Sequence, residues 1–120
     1  MDNLRLSRVK GTSAALGAAG EITLQVSTAT VKVVIRRVKI KHVSGAAANF
    51  TPLIGKASGF AAGSIDQEFV GSSTAVGSLF DVVAEAATYT DATGKLYLRP
   101  APDAGINNVF NYEVYYDVIR

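Results

Sequence analysis

The chain has 120 residues and a net charge of +2, long enough for one domain with its own core and no need of disulfides or a metal. It contains no cysteine, which excludes a disulfide framework, a zinc-thiolate site and a thiol nucleophile. The N-terminal segment MDNLRLSRVKG has no apolar run of signal-peptide length and no later run approaches a membrane span, so a soluble chain without a secretion signal is expected.

Small residues are abundant and tryptophan is absent, a mix that suits thin β-layers with close backbone approach. Residues 1–11 alternate Leu4, Leu6 and Val9 with Arg5, Arg8 and Lys10, which reads as a short edge strand or an extended basic arm within 1–20. GTSAALGAAG (11–20) is small and flexible, and its glycines oppose a stable helix. EITLQVS then sets Ile22, Leu24 and Val26 against Thr23, Gln25 and Ser27, the pattern of a half-buried strand.

TVKVVIRRVKIKHVSG (30–45) reads as one long strand with a fault in its period. Val31, Val33 and Ile35 are odd-numbered, whereas Val38 and Ile40 are even, and a pleat of period two cannot hold both sets on one face. Two devices would correct this: a β-bulge near Arg36–Arg37, or a strand that passes from one sheet to another. Lys32, either Arg36 or Arg37, Lys39 and Lys41 then line the outer face, and all five are candidate interface residues.

Short strands are expected near 50–54 and 58–61, with Pro52 arguing against a central strand there. Further strands are expected at 66–70 and 78–88, the latter in preference to a helix. TDATG (90–94) is turn chemistry, KLYLRP a strand ended by Pro100, and PAPDAGINN a loop. The last segment alternates without a break: Phe110, Tyr112, Val114, Tyr116 and Val118 form one face, and Asn111, Glu113, Tyr115 and Asp117 the other. These elements describe a single all-β domain over 1–120: an antiparallel β-sandwich, jelly-roll-like, of about eight short strands.

No enzyme signature is present, and no cofactor or metal is expected. His42 is the only histidine and reads as an ordinary strand-end residue; Asp66 with Glu68, or Asp81 with Glu85, read as solvated outer-face acids rather than a catalytic carboxylate pair. DATG and PDAG lack EF-hand spacing, and GKASG lacks the Walker pattern. Charge is divided along the chain: residues 1–56 carry nine Lys/Arg against two acids, net +7, and residues 57–120 three against eight, net −5. Sheets that bind nucleic acid put aromatics among their cations, and the basic strand has none, so nucleic acid is not an expected partner. Docking is the expected use of the basic strand, against acidic groups either of a neighbouring copy, with Glu113 and Asp117 as first candidates, or of another partner. A sugar-binding sheet would need exposed flat aromatics, for which Tyr115 and Tyr97 are the candidates.

VIRRVKIKHVSGAAANFTPLIG (34–55) and GKLYLRPAPDAGINNVFNYEVYYDVI (94–119) together have the texture of a known group. The chain resembles the small β-sandwich virion proteins of tailed bacteriophages that decorate heads or contribute to tails and fibres. The resemblance implies a structural role in the virion, assembly in the host cytoplasm, self-association (often as trimers) and attachment to a major capsid protein or another virion protein. It carries over no binding residue.

Overall fold

The long basic segment forms one unbroken strand in a computed structural model that describes residues 7–14, 16, 20–45, 48–49, 52–56, 65–68, 73–74, 79–100 and 108–119. The strands in chain order are β1 (Ser7–Thr12), β2 (Ile22–Gln25), β3 (Lys32–Ser44), β4 (Ala48–Asn49), β5 (Leu53–Gly55), β6 (Ile65–Glu68), β7 (Ser73–Thr74), β8 (Leu79–Tyr89), β9 (Lys95–Arg99) and β10 (Val109–Ile119). The protein is all-β, every pairing is antiparallel, and the described residues include no helix. One four-stranded sheet has the order β1-β10-β3-β8, a second has the order β2-β9-β5-β6, and β4 pairs with β7.

The period fault in β3 is resolved by a bulge at Arg36. On one side Ile35 faces Tyr116 and Arg37 faces Tyr115, so two steps of β3 match one step of β10. On the other side Ile35 faces Ala86 and Arg37 faces Val83, so the same two steps match three of β8. Arg36 has no cross-strand partner in either register, and the extra residue flips the parity of everything after it. Val33, Ile35, Val38, Ile40 and His42 are consequently all fully buried on one face of one sheet. The strand does not change sheets.

The buried side chains of both four-stranded sheets belong to one hydrophobic cluster, in which Val38, Ile40, Phe110 and Val114 of the first sheet join Leu24, Ile54, Leu96 and Leu98 of the second. His42, near the end of β3, belongs to this interior: its ring stacks on Phe110 at 5.1 Å, and its Nε2 lies 3.0 Å from Asn108 Oδ1. Val114 is buried, and Tyr112 is half-buried over Gly11, where any Cβ would meet its ring. Residues 7–12 form an edge strand paired to β10, which decides between strand and arm for the described part of that segment.

Two expectations near Pro52 are corrected. The strand there is β5, which begins just after the proline and lies between β9 and β6, an interior position. Pro52 precedes the ladder, so its missing N–H removes no sheet hydrogen bond. The described residues form ten strands against the expected eight or so, because β4 and β7 are two-residue pairings that no periodicity reveals. The strand expected at 58–61 lies outside the described residues. The 90–94 turn forms as expected: Gly94 has φ of 80° and sits where a Cβ would overlap the Ser27 carbonyl.

Two outcomes follow from this core. Ile40→Ala should cost about 2–5 kcal/mol, whereas Val83→Ala, on the exposed face of β8, should stay within about 0.5 kcal/mol; urea denaturation separates them, and equal losses would mean that the faces are reversed. Deleting Arg36 should send Val38 and Ile40 to the outer face and abolish soluble folded protein, whereas Arg36→Ala, which keeps the residue count, should fold.

Candidate interaction surface

The outer face of the β1-β10-β3-β8 sheet gathers the charges that the sequence separates. Because the bulge adds a residue between Ile35 and Val38, both members of the Arg36–Arg37 pair leave the core together. Arg37 donates through Nε and Nη2 to both oxygens of Asp81 on β8, at 2.8 and 2.6 Å, a two-pronged pair. Arg36 donates through Nε to Asp117 Oδ2 on β10 at 2.8 Å, and its Nη1 lies 3.4 Å from Glu85 on β8. β3 is thus held between two strands that carry its counter-charges.

Cross-strand register turns these pairs into rows. Lys10, Glu113, Lys39 and Asp81 stand side by side across β1, β10, β3 and β8, so the sign alternates from one edge of the sheet to the other. The next row is Arg8, Tyr115, Arg37 and Val83, and the one on the other side is Thr12, Asn111, Lys41 and Leu79. Tyr115 donates its hydroxyl to Glu113 at 2.7 Å, and Thr12 donates to Asn111 at 2.6 Å. A shallow groove of about 500 Å³ opens over this end of the face, with Lys10, Lys39, Lys41 and Glu113 on its walls.

The electrostatics follow from these contacts. The Arg37 guanidinium holds the Asp81 carboxyl below its ordinary range, with Lys39 adding to the effect. Glu113 is also lowered, first by the Tyr115 hydroxyl and then by Lys39, Arg8 and Lys10. In the β8–β9 turn Asp91 is lowered by the Lys95 N–H and by Thr93, whose N–H and hydroxyl both donate to Oδ1. That carboxylate is engaged in turn chemistry, and among the described residues no three His, Cys, Asp or Glu side chains group as a metal site would require.

Of the residues singled out in the sequence, Arg36, Arg37, Lys39, Glu113 and Asp117 come together on this face, within one chain. Lys32 lies opposite Ile119 and Tyr89, and Lys41 opposite Asn111 and Leu79, so neither has a carboxylate directly across from it. Arg8 and Lys10 on β1, and Asp81 and Glu85 as counter-charges of Arg37 and Arg36, join this face without a local signal that places them there. Alternation along β8 marks Asp81 and Glu85 as outward-facing, but nothing local shows that they lie beside β3. The separation of aromatics from cations also disappears in the sheet, since Tyr115 sits between Arg8 and Arg37.

No protein-family profile and no curated protein matches the chain. Among solved structures, a chain of the cyanophage Pam1 capsid asymmetric unit is similar to it at a TM-score of 0.35 and 13% identity, over 93% of this chain and 83% of that one. Likeness of that degree fixes neither fold nor role.

The lowered carboxyls give stability a pH dependence of definite sign. The unfolded chain takes up protons at the ordinary carboxylate value of about 4, above the depressed folded values. The stabilisation is therefore present above that value and lost as pH falls through the folded ones. Calorimetry should show a melting temperature nearly flat from about pH 7 to about pH 5 and falling below about pH 4, with a shallower fall in Asp91→Asn. An acid limb unchanged in that variant would remove Asp91 from the account.

Proposed function

We propose that the chain is a non-enzymatic structural protein of a bacteriophage virion, a capsid decoration or stabilising protein that self-associates and docks on the capsid surface. The strand order is the observation that carries this reading. With the two-residue strands β4 and β7 set aside, the first sheet takes the first, eighth, third and sixth of the remaining strands, and the second sheet takes the second, seventh, fourth and fifth. Such nesting of first with last supports a β-sandwich of jelly-roll type, an architecture used by viral capsid and lectin domains. The sequence texture shared with small phage virion proteins points to the first of these uses, and the tail and fibre are the alternative positions in the virion.

Self-association into a ring, with a trimer as the smallest, fits a protein that must sit on a symmetric shell. Docking would draw on the charges of β3 that face no carboxylate of their own sheet, Lys32 and Lys41, which lie towards opposite ends of the strand. Charge of this kind governs approach and register more than final affinity.

Co-sedimentation with purified phage capsids tests the reading. The expected result is saturable binding, weakened about tenfold at low salt by the double change Lys32→Glu and Lys41→Glu, with the melting temperature kept. Exclusion of the wild-type chain from the capsid fraction would overturn a capsid role, and binding to tails instead would move the protein there. Glycan binding lost in Tyr115→Ala would favour the lectin use of the fold.

A further inference from the structure

The two edges of the larger sheet are complementary to each other. Among the described residues, β1 and β8 each pair on one side only, and β6 runs near β8 without pairing to it. With every pairing antiparallel, β1 and β8 run in opposite directions across the order β1-β10-β3-β8. A second copy, shifted sideways in the same orientation, would therefore bring its β1 against β8 as an antiparallel strand with inner and outer faces matched. We propose that copies of this chain join in this way, edge to edge and head to tail, by adding β1 of one copy to β8 of the next. The proposal deepens the self-association named above and rests on it.

One register satisfies both faces at once. On the outer face the row Lys10, Glu113, Lys39, Asp81 begins with a cation and ends with an anion, so Lys10 of the next copy opposite Asp81 continues the alternation. On the inner face the same register sets Val9 of the next copy against Val82. These are the end members of a row of four valines, Val9, Val114, Val38 and Val82, and both are only partly buried in the isolated chain. Arg8 of the next copy then lies opposite Val83, with Asp81 and Glu85 diagonally on either side. Val83 is 80% exposed and the Glu85 side chain 81%, so the aliphatic stem of that arginine covers one while its guanidinium reaches the other.

Like edges do not fit. β1 against β1 would bring Arg8 and Lys10 together with their copies, and β8 against β8 would do the same with Asp81 and Glu85. Charge on an edge strand commonly guards against edge pairing; here each sign guards against its own kind and admits the other. A contact between unlike edges closes into a ring where its rotation permits and otherwise extends as a filament.

The absence of cysteine from the chain makes a direct test simple. Arg8→Cys and Val83→Cys each change one exposed outer-face side chain. Within a chain these positions stand about 14 Å apart, three strand spacings, beyond the reach of a disulfide. Mild oxidation of the two single variants mixed together should give crosslinked dimers, and either variant alone should give few. The double variant should give a ladder of higher oligomers. Arg8→Glu should weaken self-association about tenfold or more in sedimentation equilibrium with the fold intact. Crosslinking as strong in one variant alone as in the mixture, or none in the mixture, would overturn the proposal. Capsid co-sedimentation of the same variants separates the two readings: capsid binding without the mixed crosslink leaves the virion role and removes the edge pairing. The mixed crosslink without capsid binding does the reverse.

Discussion

One inserted residue decides how this protein is arranged. β3 carries apolar side chains in two phases, and Arg36, bulged out between Ile35 and Arg37, is what lets both phases meet a single core. Without it, half of the strand would turn a row of apolar groups to water, at a cost of the order of 1.5–3 kcal/mol for each one. The same bulge sends two consecutive arginines to the opposite face, where they need counter-charges. The neighbours in the sheet supply them, β10 through Asp117 and β8 through Asp81 and Glu85. Core and surface are therefore fixed by one local distortion.

Period-two alternation is a local property, and wherever it is present the strands could be read from the sequence. β2 and β10 follow their patterns, and the fault in β3 announced a correction at the site where the bulge occurs. The choice between a bulge and a change of sheet was open because it depends on what lies beside Ile35 and Val38, which residues far along the chain decide. Pro52 misled for a related reason. A proline forbids a ladder bond only at its own position, and β5 starts one residue later. His42 is near the end of its strand as its place in the sequence indicates, but its burial against Phe110 follows from the restored parity, which is set beyond its own neighbourhood.

The surface was legible in composition and hidden in geometry. The division into a basic first half and an acidic second half is real, and it invited the idea of a basic patch awaiting a partner. Antiparallel pairing of β3 with β8 and β10 interleaves the two halves, so a strong asymmetry along the chain becomes strand-by-strand alternation across the sheet. Glu113 and Asp117, which the sequence offers as counterparts on a neighbouring copy, stand next to the basic strand of their own chain. Their register with Lys39 and the bulge depends on contacts between distant parts of the sequence, which no window of residues contains.

The position of β3 between β8 and β10 also bears on how the molecule comes into being. Both neighbours are made long after β3, and β10 is the last strand of the described chain. During synthesis, Val33, Ile35, Val38 and Ile40 must wait on a nascent chain with no sheet to enter, since the intervening strands belong to other ladders. Topologies dominated by such distant pairings fold slowly and expose strand edges meanwhile. Until the acidic strands are made, the five cations of β3 face no counter-charge, and like charges on unfinished chains repel one another.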